Sequence, residues 1–393
     1  MGSSSTAASQ TRASEDEFGL WYHEQSPSGA GRLDCWFGAV FTGWRSTDDV
    51  MVALEFVLRN HPELSARYWL DDDGTLVKEL PSAGGPLAVR QASPDLDEVE
   101  VARRISFSPL SLEDGDLLRV AIVAGDRGIA RGLVGVVHHI VWNVRSEQRL
   151  WAELDRALDA TTPAVGTEIG PAWLSPLDPI PPRSAPPDRQ VHALARGALA
   201  WSAVVQQAQR SRTTTFAWLV GQLTSAVAAW STTGRVIPMV DLDDGADDRT
   251  GQFGVHQSQR LLNVVERTTS PVDIGRRVQL QLLQLLASEI RPASQPEPRV
   301  DDAQVCKVYV RDLRSRDDLR HLQPLQLAAP RARNELSVGV AAMSDGVEVL
   351  LTARADAFTH DDIVELANRV GRALLKAVQG RDRVEEEVAH AAL

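Results

Sequence analysis

Two adjacent histidines, His138 and His139, end an apolar run in the first half of the chain. The run reads GVVHHIVWNV over residues 135–144. Successive side chains of a strand point to opposite faces, so one imidazole should face the core and the other a cavity. Imidazole has an ordinary pKa near ~6.5 and is therefore a neutral proton acceptor at cellular pH. The pair predicts that one of the two histidines is a general base. The competing interpretation is that both histidines are structural and hydrogen-bonded.

Other catalytic chemistries find no support in the sequence. Adjacent strand histidines diverge and no third ligand stands at helical spacing, so no metal site is predicted. The sequence contains neither a GxSxG nucleophile elbow nor a Walker phosphate loop. Proton transfer by one histidine is the chemistry that these residue types favour.

Apolar periodicity predicts the elements that must hold the histidines. Strands are expected near residues 117–123 and 133–139, and helices at 48–59 and 146–158. The second half of the chain carries similar patterns. There, helices are predicted at 191–208, 213–232, 274–290 and 360–379, and strands at 236–240, 305–310, 336–341 and 347–351. This mixture predicts an α+β protein with a sheet in each of two lobes.

A proline-rich segment separates the predicted lobes. Residues 161–189 contain eight prolines, and proline removes a backbone donor and fixes φ, so the segment predicts an extended linker. The predicted organisation is a disordered leader (1–13), an N-terminal lobe with the His-His motif (14–160), the linker (161–189), a C-terminal lobe (190–380) and an acidic tail (381–393).

Composition narrows the class of protein. The formal net charge is −12, which argues against nucleic acid as a partner. Cys35 and Cys306 are too few and too far apart to predict a disulfide scaffold. No stretch is apolar enough for long enough to cross a bilayer, and the first 14 residues lack the apolar core of a secretion signal. The sequence predicts a cytoplasmic protein without a membrane partner.

The residues around the histidine pair resemble a known motif. His138, His139, Asn143 and Val144 are similar to the HHxxxDG core of the condensation domains of nonribosomal peptide synthetases, within the chloramphenicol acetyltransferase-like acyltransferase superfamily. Four other stretches resemble condensation-domain motifs in the family's order: 13–22 (SxAQxRLW), 59–68 (RHExLRTxF), 107–119 (PFDL…LLR) and 251–260 (GxFVNTxxxR). The resemblance spans residues 13–380.

The resemblance implies both a fold and a reaction. The fold would be two chloramphenicol acetyltransferase-like lobes arranged in a V with a tunnel between them. His139 would be the base, and His138 would support the site structurally. The donor would be an acyl or aminoacyl thioester on the phosphopantetheine of an acyl or peptidyl carrier protein, or on coenzyme A. A small-molecule amine or alcohol would be the acceptor, and no cofactor would be bound.

Two motif positions depart from the family. Asn143 stands where the family has Asp, and Val144 stands where it has Gly. The family's Asp pairs with the arginine that matches Arg260, so an amide at 143 is expected to weaken that pairing. Trp142, Val144 and His256 are candidate tunnel-lining residues. A core position for Trp142 and a solvent-facing loop for His256 are the alternatives.

Three functions fit these residues. The first is a stand-alone condensation-type acyltransferase of nonribosomal peptide or antibiotic biosynthesis, which forms an amide or ester bond with His139 as base. The second is a docking scaffold for a carrier protein or a tailoring enzyme, and the altered Asp and Gly positions favour it. The third is a cyclase or isomerase acting on a tethered substrate. Retention of His139 favours the enzyme.

Overall fold

A computed structural model describes most of the chain. The described residues are 9–25, 33–81, 89–92, 95–125, 128–160, 175–176, 190–197, 199–243, 257–287, 304–312, 319–325, 327, 335–343 and 346–379. Within them the α-helices are α1 (Glu15–Gln25), α2 (Thr47–Arg59), α3 (Glu98–Ile105), α4 (Val144–Ala160), α5 (Trp201–Arg210), α6 (Thr215–Trp230), α7 (Pro271–Ala287) and α8 (His360–Gln379).

The strands of the same residues form three sheets. They are β1 (Ser9–Arg12), β2 (Asp34–Phe41), β3 (Arg67–Leu70), β4 (Leu76–Leu80), β5 (Val89–Ala92), β6 (Leu118–Ala124), β7 (Ala130–His138), β8 (Ser175–Pro176), β9 (Gln190–Gly197), β10 (Arg235–Asp243), β11 (Gln257–Leu261), β12 (Val265–Glu266), β13 (Gln304–Asp312), β14 (Leu322–Leu325), β15 (Leu336–Met343) and β16 (Gly346–Arg354). Helices and sheets are mixed along the chain, which confirms the predicted α+β class.

The chain divides into two compact units. The first comprises 1–186 with 243–258 and 315–331, and the second comprises 187–242, 259–314 and 332–393. The predicted C-terminal lobe ran without interruption from 190 to 380. That prediction missed the return of β14 to the first unit, because strand pairing between distant segments leaves no local sequence pattern.

The histidine pair belongs to the first unit. Its main sheet has the strand order β14-β2-β7-β6-β5-β8, and β2, β7 and β6 pair antiparallel. Helices α2 and α4 contribute to the core on one face of this sheet, while α3 packs on the other. The proline-containing β8 lies at the sheet edge, the position that proline tolerates because it lacks a backbone donor.

A second, three-stranded sheet of the first unit has the order β1-β4-β3. In it Ser9 pairs with Leu80 and Arg12 pairs with Val77. The prediction of a disordered leader over 1–13 is therefore wrong for its last residues. The side chains of β1 are exposed, so their composition looks like that of a leader, but the backbone of β4 supplies hydrogen-bond partners.

The second unit contains a seven-stranded sheet. Its order is β11-β10-β13-β15-β16-β9. The short strand β12 pairs with the start of β10, on the edge of β10 that faces away from β13. Helices α5, α6, α7 and α8 contribute to one core, in which α6 is buried almost throughout. The nearly apolar sequence of α6 thus has the burial that it predicts.

Most predicted elements are confirmed, with boundaries shifted by a few residues. The predicted helix 360–379 coincides with α8, and the predicted helix 146–158 lies within α4. The predicted helix 191–208 is wrong in its first half, where residues 190–197 form β9 and pair with β16. Ala and Leu favour a helix locally, but eight residues of strand pairing override that weak preference.

Some predictions fall outside the described residues. They include the acidic tail at 381–393, most of the linker, and His256. Among the described helices, none combines the length and apolarity needed to cross a membrane.

Candidate active site

The backbone holds both histidines at the end of β7. His138 is the last residue of the strand, and His139 begins a short 3₁₀ turn, His139–Val141. The amide of His138 donates to Leu117 O at 2.9 Å, and the amide of His139 donates to Leu33 O at 2.8 Å. Both neighbouring segments, before β6 and before β2, therefore fix the backbone of the pair.

His138 is buried and has a defined proton position. Its residue surface is 1% exposed. Nδ1 accepts a hydrogen bond from the Ile140 amide at 3.1 Å, so the ring proton of the neutral imidazole must lie on Nε2. Nε2 lies 3.8 Å from Glu24 Oε2, on α1. These contacts hold the His138 ring inside the fold, where it binds the Ile140 amide of the turn.

His139 is partly exposed and has the opposite tautomer. Its Nδ1 lies 2.5 Å from the carbonyl oxygen of Trp142. A carbonyl oxygen can only accept, so Nδ1 donates, and the neutral ring keeps its lone pair on Nε2. An imidazole held in this way can take a proton at Nε2 without changing its other hydrogen bond.

Trp142 is a core residue. Its surface is 3% exposed, and its ring stacks on Phe37 with the centroids 4.9 Å apart. The prediction that Trp142 lines a tunnel is therefore wrong, and its alternative, a core position, holds. The extended backbone at Trp142 directs the ring into the core beside β2, while its carbonyl oxygen binds His139.

Asn143 caps the helix that follows the histidines. Its carbonyl oxygen accepts from the Glu147 amide at 3.1 Å, as the residue before α4 does in an N-cap. Its side-chain Oδ1 accepts from the amide of Ser146 at 2.7 Å and from the Ser146 hydroxyl at 3.1 Å. An amide oxygen performs this capping as well as a carboxylate would. The change from Asp to Asn therefore preserves the start of α4.

Arg260 lies on β11, in the second unit. Its pairing with Asn143 stays a prediction of the resemblance. Val144 is the first residue of α4 and is half-buried. The right-handed helical conformation at this position is open to any L-residue, so this chain does not need the conformational freedom of glycine there. The statement that Val144 and His256 line a tunnel also stays a prediction.

Two framework motifs meet at Glu17 of α1. Ser14 and Glu17 form a reciprocal capping box at the start of the helix, with distances of 2.7 and 3.1 Å. Glu17 Oε1 also accepts from the Tyr68 hydroxyl and from Lys78 Nζ, each at 2.8 Å. The SxAQxRLW-like and RHExLRTxF-like segments are thus joined by one buried carboxylate.

The charge state of Glu17 follows from these partners. Burial alone would raise its pKa, but the charge and hydrogen bond of Lys78, with the Ser14 and Tyr68 hydrogen bonds, hold the pKa below its ordinary value. Burial, together with the Glu17 charge, raises the pKa of Tyr68 well above 10.0, so its hydroxyl remains a donor.

A second buried network joins the end of α2 to α4. His61 Nδ1 lies 3.1 Å from Glu63 Oε1, and Nε2 lies 2.7 Å from Glu153 Oε2. Burial alone would lower the pKa of His61, but the hydrogen bonds and charges of the two glutamates raise it overall. This network keeps α4, and with it the histidine turn, in a fixed position relative to α2.

The C-terminal half of α4 binds the returning segment. Asp155 Oδ2 accepts from the amide of Arg320 at 3.1 Å, and Oδ1 accepts from the amide of His321 at 2.8 Å. β14 then pairs with β2, with Leu322 opposite Phe41. The helix that follows the histidines therefore also holds the segment that returns to this unit.

Sequence reasoning missed Glu24 as a neighbour of the site. The available signal was an acid three residues after Trp21, within the helix that opens the first motif. Its proximity to His138 depends on how α1 packs against the 3₁₀ turn, which periodicity does not predict. Among the described residues, no group of three His, Cys, Asp or Glu side chains could hold a metal ion.

No family model matches the chain, and no curated protein matches it by sequence. Among solved structures, the condensation domain of the monacolin K polyketide synthase is similar, with a TM-score of 0.70 and 12% identity over 95% of this chain and 98% of that chain.

Two further structures extend the similarity. The first condensation domain of the calcium-dependent antibiotic synthetase, in complex with a substrate analogue, has a TM-score of 0.69 and 14% identity over 94% of this chain and 96% of that chain. The X-domain in complex with OxyB from teicoplanin biosynthesis has a TM-score of 0.63 and 17% identity over 95% and 94%. This chain therefore has the fold of condensation domains from nonribosomal peptide and polyketide synthases.

Proposed function

We propose that this chain is a condensation-type acyltransferase in which His139 is the base. The observation that carries the proposal is the contact of His139 Nδ1 with Trp142 O at 2.5 Å, which assigns the ring proton to Nδ1 and the lone pair to Nε2 on a partly exposed ring. The condensation-domain fold supports the same role. His138 and Asn143 shape the turn and the following helix, and Arg260 is proposed to support the site from β11.

The reaction is acyl transfer from a thioester to an amine or hydroxyl. The acceptor atom attacks the thioester carbonyl carbon and forms the new C–N or C–O bond, while its proton passes to His139 Nε2. The C–S bond then breaks, and the leaving thiolate receives that proton. General base catalysis by a positioned side chain contributes ~10²- to 10⁴-fold in rate.

The proposed donor is an acyl or aminoacyl group on the phosphopantetheine of a carrier protein, or on coenzyme A. The thioester is a substrate in this scheme, and the protein supplies position and proton transfer. The acceptor is a small amine or alcohol. The product belongs to the natural products that nonribosomal peptide pathways make.

The test is the product profile of the native host carrying His139→Ala, compared with wild type and with a deletion of the gene. We expect the variant to match the deletion and its thermal unfolding to match that of wild type. His23→Ala is the matched control, because His23 is an exposed histidine on α1, and it should match wild type in product.

A folded His139→Ala protein that makes the wild-type product would exclude base catalysis at this position. It would favour the second function, a docking scaffold for a carrier protein or tailoring enzyme. One specific observation supports that alternative: the motif position that holds an acid in the family holds the amide Asn143 here. A scaffold should bind its partner equally well with and without the His139 ring, as a binding assay with purified carrier protein would measure.

A cyclase or isomerase would also need His139. It is distinguished by the product of wild type, which would keep the atoms of the tethered substrate and add no acceptor. Mass spectrometry of the metabolite that the His139→Ala host loses therefore separates transfer from rearrangement.

A further inference from the structure

Glu24 lies next to the buried histidine of the pair. Its Oε2 is 3.8 Å from His138 Nε2, and the Glu24 side chain is 12% exposed. The separation is too long for a direct hydrogen bond. A carboxylate this close to an N–H group, away from bulk water, still interacts with it electrostatically more strongly than in water.

The proton position on His138 makes this interaction directional. Nδ1 accepts from the Ile140 amide, so the ring proton lies on Nε2, the nitrogen that faces Glu24. The other tautomer would present the lone pair of Nε2 to the carboxylate, and either that tautomer or a flipped ring would remove the acceptor from Ile140. The charge of Glu24 therefore favours the ring state in which His138 binds Ile140.

Ile140 is the middle residue of the 3₁₀ turn that begins with His139. Holding its amide fixes the turn, and the turn brings the Trp142 carbonyl to His139 Nδ1. The order of contacts is Glu24, His138, Ile140 and then His139.

We infer that Glu24 is a positioning residue that orients the His138 ring and thereby the turn that carries His139. The expected effect of Glu24 on product rests on the proposed function. The expected effect of Glu24 on the turn does not. The carboxylate has no role in the acyl-transfer step described above.

The test compares Glu24→Gln with wild type and with Glu15→Gln, an exposed acid on the same helix. ¹⁵N spectra of histidine-labelled protein report the tautomer of His138, and amide exchange reports the hydrogen bond of Ile140. We expect Glu24→Gln to lose the single Nε2–H tautomer and to raise Ile140 exchange about tenfold, roughly the loss of one hydrogen bond. Amides of β6 and the thermal unfolding midpoint should stay the same, and Glu15→Gln should resemble wild type in both readouts.

Unchanged tautomer and unchanged Ile140 exchange in folded Glu24→Gln would overturn the inference. If Glu24→Gln does not fold, Glu24→Asp decides instead, since it keeps the charge and moves it by one methylene. Product in the host should fall with Glu24→Gln and be partly restored with Glu24→Asp. If His139→Ala leaves the product unchanged while Glu24→Gln still alters the turn, the proposed function fails and the positioning role stands.

Discussion

Phe37 lies across Gly135, its partner on the neighbouring strand. A Cβ added at Gly135 would stand 2.0 Å from Cζ of the ring. The same ring stacks on Trp142, with its centroid 4.9 Å away, and meets Trp151 edge-on at 5.7 Å. A glycine three residues before the histidine pair thus makes room for the aromatic group that supports the histidine turn.

Gly135→Ala should therefore destabilise the protein and disturb the turn. The added methyl group must displace Phe37, whose ring is enclosed by tryptophans, and we expect a loss of about 3 kcal/mol in the free energy of unfolding. Denaturant unfolding measures it. Gly19→Ala is the control, because nothing lies within 4 Å of a Cβ there, and it should be neutral or stabilising. Equal stability of the two variants would contradict the packing.

The Glu17 network predicts an acid-sensitive fold. We expect Glu17→Gln to lower the free energy of unfolding by about 2 kcal/mol at pH 7, because Tyr68 and Lys78 lose a charged acceptor. The folded-state pKa of Glu17 is lowered from 4.5, so its contribution is present above that value and is lost as pH falls through the folded pKa. The free energies of unfolding of wild type and of Glu17→Gln should converge toward acid pH. A difference that stays constant down to acid pH would argue against the assigned charge.

The His61 network predicts the opposite pH dependence. The pKa of His61 is raised from 6.5, so its contribution is fully present below 6.5 and is lost as pH rises through the folded pKa. As the pH rises from 6.5 through the folded pKa, the free energy of unfolding of wild type should lose its advantage over that of His61→Gln. His360→Gln is the control, because His360 is exposed at the start of α8, and its stability relative to wild type should not follow the same curve.

The cap at Asn143 predicts a graded series. Asn143→Ala removes the acceptor of the Ser146 amide and should cost about 1 kcal/mol of stability. Asn143→Ser retains a capping oxygen and should lose less, while Asn143→Asp should cap α4 and restore the family's acid. Amide exchange in the first turn of α4 identifies the cause. Equal loss for the Ala and Ser variants would show that the oxygen does not cap the helix.

Asp155 predicts how the returning segment is held. Asp155→Ala leaves the amides of Arg320 and His321 without their carboxylate acceptor, and a loss of about 2 kcal/mol is expected. Amide exchange should rise first in β14 and at Thr42, whose amide binds His321 O. Asp72→Asn, at an exposed position of the turn between β3 and β4, is the control and should change little.

Much of the fold was predictable because its signals are local. The apolar stripes of α2, α4 and α8 predicted helices that the structure contains. The helix predicted over residues 191–208 was wrong in its first half, because β9 exists only through its pairing with β16. The strand β1 was missed for the same reason.

The amino-acid sequence by itself determined the α+β class, the histidine pair and the resemblance to condensation domains. These depend on residue types at short spacings, which a single chain displays directly. Only the tertiary structure decided that Trp142 is a core residue and that Glu24 lies beside His138. Each of these depends on the direction of a side chain after distant segments pack, and no local pattern specifies that direction.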